Sequence, residues 1–188
     1  MASLQIPTPA VPGVDSHGFE FLDTCHRDMA QNLVILQALA ASIEADGVSA
    51  ETQKAARQLC AWFNETARDH HQDEEKHVFP PLLTSGDEAL VQQVERLIQD
   101  HGWLEEDWIE IEPTLSAIAD GYQWFEPAEF RHAVEIFRSL YLDHIALEES
   151  LAYPKAREQL DALALASMHE EMMQRRTRRS ARSESRRS

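Results

Sequence analysis

From Phe19 onward the chain places Phe19, Leu22, His26, Met29, Leu33, Leu36, Ala40 and Ile43 at alternating steps of three and four residues. That spacing is the buried stripe of a packed helix, with a histidine standing where an apolar residue is expected. Gly47, after Asp46, is a suitable stop. Ser49 can cap a second helix, which runs through Leu59 and Phe63 to Pro80 and Pro81. Ser85 with Glu88 reads as a capping box for a third helix, whose stripe is Leu90, Val94, Leu97, His101, Leu104, Trp108, Ile111, Leu115 and Ile118. Pro113 falls inside it and predicts a kink or an early end. The stretch ADGYQWFEPAEF breaks the pattern, and Pro127 suits the first turn of a fourth helix carrying Phe130, Phe137, His144 and Leu151 as far as Pro154. No segment alternates with the period of a strand. The prediction is an all-α protein, an up-down-up-down four-helix bundle over residues 16–155. An irregular, proline-containing arm precedes it at 1–15, and residues 156–174 can form an extra C-terminal helix. Residues 175–188, RRTRRSARSESRRS, offer little to bury and are expected to be disordered.

Composition adds little to the fold but something to the chemistry. The formal net charge of −16 conceals a tail of seven arginines and one glutamate, so residues 1–174 carry −22. An acidic body argues against nucleic acid binding by the bundle and suits a protein that collects cations. No apolar run is long enough to span a bilayer, and the N-terminus lacks the basic-then-apolar layout of a secretion signal, so no membrane role and a cytoplasmic location are expected. Cys25 and Cys60 have no metal-finger spacing and read as reduced thiols.

Residues 70–80, HHQDEEKHVFP, and 144–154, HIALEESLAYP, share H-x-x-x-E-E-x-x-x-[FY]-P at an offset of 74 residues, while the stripe histidines His26 and His101 are 75 apart. The chain therefore looks like two copies of a helical hairpin. Residues four apart lie on one helix face, about 6 Å apart along the axis, so His70 with Glu74 and His144 with Glu148 can each converge on one point. His26 and His70 stand 21 and 23 residues from Gly47, and His101 and His144 stand 19 and 17 residues from the ends of the loop 120–127. All four thus fall roughly 25–35 Å from the same end of an antiparallel bundle, in one layer. A single histidine on an apolar stripe is more often a hydrogen-bonded core residue than a ligand. Coincidence explains poorly four of them at one level, two with a glutamate at the same spacing, because two buried carboxylates cost several kcal/mol each without compensation. The expected metal ligands are His26, His70, Glu74, His101, His144 and Glu148, with Glu105 a weaker candidate, four residues beyond His101. Glu75 and Glu149 are expected to support the ligands or face solvent. His17, His71, His132 and His169 are read as surface residues.

On "LDTCHRDM", "HHQDEEKHVFPPL", "QDHGWLEEDW" and "LDHIALEESLAYP", residues 16–155 resemble the hemerythrin-like family of histidine–histidine–glutamate cation-binding domains. The resemblance implies a non-heme di-iron centre, with His26, His70, His101 and His144 each on one iron and Glu74 and Glu148 bridging the pair. Manganese or zinc would also suit a mixed histidine–carboxylate set. Oxygen carriers of the family have a histidine where this chain has Glu105, and an aspartate five residues after the last-helix histidine, where it has Glu149. Bacterial relatives with four histidines and two glutamates, including proteins of nitric-oxide response, resemble it better. The resemblance implies binding or sensing of O2 or NO. A di-iron enzyme of oxidative or nitrosative stress and a passive metal-binding bundle are the alternatives, and a homodimer is left open.

Overall fold

The computed structural model describes residues 18–185, so the N-terminal arm at 1–15 lies outside the described residues. Among these there are five helices and no strand. Helix α1 is Gly18–Asp46, α2 spans residues 50–83, α3 is Glu88–Ala119, α4 spans 127–159 and α5 is Ala162–Ser185. The first four form the bundle: each packs on its chain neighbour, and α1 closes the ring against α4. The α1–α2 link is tight because Gly47 takes φ 78°, a conformation that side chains resist, and its N–H returns to the Ile43 carbonyl. Ser49 caps α2 with a reciprocal bond to Thr52.

The cap of α3 is not the expected Ser85–Glu88 box. Gly86, also at positive φ, carries the chain past Ser85, and Asp87 caps instead, accepting from the N–H groups of Ala89 and Leu90. A carboxylate there also answers the positive end of the helix dipole. Pro113 does not end α3. It lies on the exposed face, where the carbonyl it leaves unbonded can meet water.

Both α2 and α4 run on past their expected ends, to residues 83 and 159, through π-helical turns at Glu74–Val78 and Glu148–Ala152. Each turn stops just short of Phe79-Pro80 or Tyr153-Pro154. Proline has no N–H to donate and its ring crowds the carbonyl four residues back, so the turn before it widens rather than breaks. A third π turn, Phe63–Ala67, has no such proline.

The core is in two parts. One apolar cluster, including Leu36, Leu59, Phe63, Leu115 and Phe137, fills the end of the bundle that carries the Gly47 turn. A second, including Phe19, Leu22, Phe79, Leu97 and Tyr153, fills the other end. The histidines and glutamates of the repeat form the layer between them.

Helix α5 corrects the expectation for the tail. It continues through the arginine-rich stretch to Ser185 and lies on α1 and α2, burying Met168 and Met172. Gly18 on α1 allows the approach, since a Cβ there would stand 3.0 Å from the Met168 side chain. Arg175 and Arg176 pair with the buried Asp73 at 3.2 and 2.7 Å, and Arg179 pairs with Asp69 and Glu65. Arg176 also lies over the Phe21 ring, 3.9 Å from its centroid. An acidic row on α2 with a four-residue repeat, Glu65, Asp69 and Asp73, thus meets Arg175, Arg176 and Arg179 in the described part of the tail.

Candidate metal centre

His26 comes from α1, His70 and Glu74 from α2, His101 from α3, and His144 and Glu148 from α4, and all six are at most 5% exposed. The Nε2 atoms of all four imidazoles turn inward. His70 Nε2 lies 3.3 Å from Glu74 Oε1, and His144 Nε2 lies 3.1 Å from Glu148 Oε1, the i to i+4 pairs of the repeat. Each carboxylate also reaches the opposite hairpin with its other oxygen: Glu74 Oε2 is 3.5 Å from His101 Nε2, and Glu148 Oε2 is 3.2 Å from His26 Nε2. The pattern gives two overlapping sets that could each hold an ion, His26–His70–Glu74–Glu148 and His101–His144–Glu74–Glu148, both sharing the two glutamates. Within each set the donor atoms lie within 4.8 Å of one another.

The outward nitrogens are held by a second ring of groups. His26 Nδ1 meets Glu149 at 3.1 Å, and His101 Nδ1 meets Glu75 at 2.8 Å. These contacts cross between hairpins, so the second glutamate of each E-E pair orients the single histidine of the other half. Such partners fix the ring and raise its basicity toward a metal. Glu75 and Glu149 are half-exposed and stay outside the cluster.

Charge at the centre is unbalanced without a cation. Burial and the charge of Glu148 would raise the Glu74 carboxyl, but His70, His101 and His26 outweigh them and hold it down at about 2. Glu148 is likewise held well below its usual range despite burial, by His144, His101 and His26. Burial alone would lower His26, but Glu148 and Glu74 raise it to about 10. Glu148, Glu74 and Glu75 overcome burial to raise His101, and Glu148 with Asp100 does the same at His144. At His70 burial wins and the value falls to about 4. In the metal-free protein, protons on imidazoles supply the positive charge. Even so, Glu74 Oε2 and both oxygens of Glu148 accept no hydrogen bond of ordinary geometry. Buried lone pairs left this way, on carboxylates kept anionic, fit a divalent transition metal bound by nitrogen and oxygen.

Three further residues complete the surroundings. Tyr153, the [FY] of the second repeat, hydrogen-bonds to Glu74 Oε1 and lies 3.1 Å from His26 Nε2. Its ring stacks on that of His26. Burial and the two glutamates push the Tyr153 hydroxyl well above its usual value, so it stays protonated and donates. His71, expected at the surface, stacks on His101 with ring centroids 4.0 Å apart, and its Nε2 lies 3.0 Å from the Tyr141 hydroxyl. The signal missed was its repeat equivalent, Ile145: an apolar residue at the matching position implies a buried one. Asp100 stands 3.8 Å from His144 Nδ1. Glu105 does not join the cluster. It lies on the outer face of α3, 52% exposed, paired with Arg68. His77 meets Glu171 of α5 at 3.7 Å instead of the centre, and His17 lies outside the described residues.

Comparison with known proteins agrees with this geometry. Residues 17–156 match the family described as the hemerythrin HHE cation binding domain. A protein of Haemophilus influenzae, itself described only as uncharacterized, is 29% identical over 174 residues, covering 92% of this chain and 98% of its own length.

Proposed function

The chain belongs to the hemerythrin HHE cation-binding family, and from that premise we propose that it holds two iron ions in the buried layer and binds or senses O2 or NO there. The observation that carries the proposal is the straddling of both histidine pairs by Glu74 and Glu148, each offering one oxygen to each side. His26 and His70 would serve one ion, His101 and His144 the other, and the two carboxylates both. Ferrous iron supplies the electrons and the open coordination positions that a small diatomic ligand needs.

The chain's own part is positioning. Glu149 and Glu75 orient His26 and His101, Tyr153 fixes one oxygen of Glu74, and the two apolar clusters close the layer off along the bundle axis on either side. Six protein ligands for two metals leave positions for an exogenous ligand. The oxygen carriers' further histidine on the third helix has no counterpart, since Glu105 is turned outward. No helix among the described residues is long and apolar enough to cross a membrane.

Addition of NO under anaerobic conditions, and separately of O2, to ferrous-loaded protein tests the proposal. A new visible band that reverses when the gas is removed is expected. Unchanged spectra with both gases contradict it, and sustained consumption of either gas with a reductant assigns the protein to the enzymes instead.

A further inference from the structure

The two halves of the repeat differ at two positions that bear on the centre. Phe79 and Tyr153 are equivalent, and so are His71 and Ile145. On the His26–His70 side, the Tyr153 hydroxyl fills the space beside His26 and Glu74. On the His101–His144 side, Phe79 brings a ring without a hydroxyl against His101, at 5.5 Å between centroids. The polar group there is His71, with one nitrogen within 4.8 Å of ring nitrogens of both His101 and His144.

A cavity of about 290 Å³ reaches this second side from the surface between α2, α3 and α4. Its inner end is lined by His101, His71 and Tyr141, its walls by Phe63, Leu104, Trp108 and Phe137. Arg68 and Glu105, paired with each other, lie at its outer end. It exceeds the roughly 30 Å³ share of one water several-fold, so a diatomic molecule fits with room to spare. Apolar walls ending in a few convergent polar groups are the usual form of a small-molecule site.

The hydrogens of the inner pair can be counted. An imidazole carries at least one N–H and a phenol one O–H. The contact between His71 Nε2 and the Tyr141 hydroxyl uses one of them. Whichever group donates, and whether the imidazole is neutral or charged, at least one hydrogen is left to give. Resting on the di-iron reading above, we infer that His71 and Tyr141 together form the hydrogen-bond donor that holds an oxygen-bearing ligand at the inner end of this cavity, on the His101–His144 side of the centre. The inference needs no change of protonation. It makes the two sides unequal: one closed by Tyr153, one open and provided with a donor.

The test uses the full chain, loaded with ferrous iron and exposed to NO as the probe. The N–O stretching frequency is measured in H2O and D2O, with the rate of NO release and the iron count, for wild type, Tyr141→Phe, His71→Leu and His71→Gln. Tyr141→Phe keeps the ring packed against Phe137 and Phe63 and removes only the hydroxyl. The wild type is expected to show a D2O shift that Tyr141→Phe and His71→Leu diminish or lose. Release should become about two- to tenfold faster, the range an ordinary hydrogen bond commands. His71→Gln, which keeps an N–H donor, should recover part of both effects, with iron content unchanged throughout. Identical frequencies, isotope shifts and release rates in all four proteins overturn the inference while leaving the di-iron reading intact. Loss of one iron in both His71 variants overturns it differently, by making His71 a ligand. A wild type without iron overturns the underlying reading and this inference with it.

Discussion

The Nε2 atoms of His101 and His144 face each other across 3.1 Å, on helices from the same hairpin. Two imidazole nitrogens at that distance share a proton or turn their lone pairs to one cation. The same choice recurs around the layer: His26 is raised to about 10, and His101 and His144 are raised too, chiefly by carboxylates that a metal would use. Metal uptake must therefore displace protons. Between pH 6.5 and 10 the apparent affinity should rise about tenfold per pH unit for each proton displaced. Calorimetric titration in buffers of different ionisation heat reads the released protons directly, and a pH-independent affinity without proton release would contradict the assignment.

Stability of the metal-free protein should follow the same groups with opposite sign on the two limbs. Glu74 is lowered from 4.5 to about 2 on folding, so its contribution is present above pH 4.5 and lost as pH falls through 2. His26 is raised from 6.5 to about 10, so its contribution is complete below pH 6.5 and lost as pH rises through 10. His70, lowered from 6.5 to about 4, is neutral in both states above pH 6.5 and leaves the alkaline limb to the three raised histidines; it adds to the acid limb, where stability is lost as pH falls from 6.5 through 4. The metal-free melting temperature should fall on both sides of pH 6.5. Bound metal replaces the protons, so the gap between loaded and chelated protein should widen from pH 6 to pH 9. Parallel melting curves at every pH would speak against a cation in this layer.

Glu75 and Glu149 touch only the outward nitrogens of His101 and His26. Replacing either with glutamine should weaken metal binding about tenfold, at the low end for such partners because both are half-exposed, and keep the stoichiometry. Competition with a chromophoric chelator measures the change. An unaltered affinity in both variants would mean that their hydrogen bonds do not tune the centre.

Asp73 precedes Glu74 and is wholly buried, with Arg175 and Arg176 of α5 as its ion-pair partners. Burial raises its carboxyl, with Arg176 opposing. Arg176→Ala should destabilise the protein by about 2 kcal/mol, or roughly 4–8 °C in melting temperature, since Arg175 still covers part of the charge. Hydrogen exchange should quicken along α5 first. No shift in either would show that α5 contributes nothing to the stability of the bundle.

The four bundle helices were legible because each carries a buried stripe at three- and four-residue steps, and the candidate site because H-x-x-x-E recurs with the single histidines at matching depth. The π turns were not, since a proline after an aromatic residue signals an end as readily as a widened turn. His71 was missed because adjacent histidines suggest solvent, although its repeat partner Ile145 is buried. The tail was misjudged for a different reason. Its partner row, Glu65, Asp69 and Asp73, lies more than a hundred residues away, and a charged helix shows its need for such a row only when both are in place.

The iron count per chain after anaerobic ferrous loading and desalting, for wild type beside Glu148→Gln and His144→Ala, tests the central claim most directly. The apolar clusters on either side of the layer should keep both variants helical. The account predicts two irons in the wild type and one or none in each variant, with circular dichroism unchanged. A wild type that retains no iron, or folded variants that retain two, would contradict it.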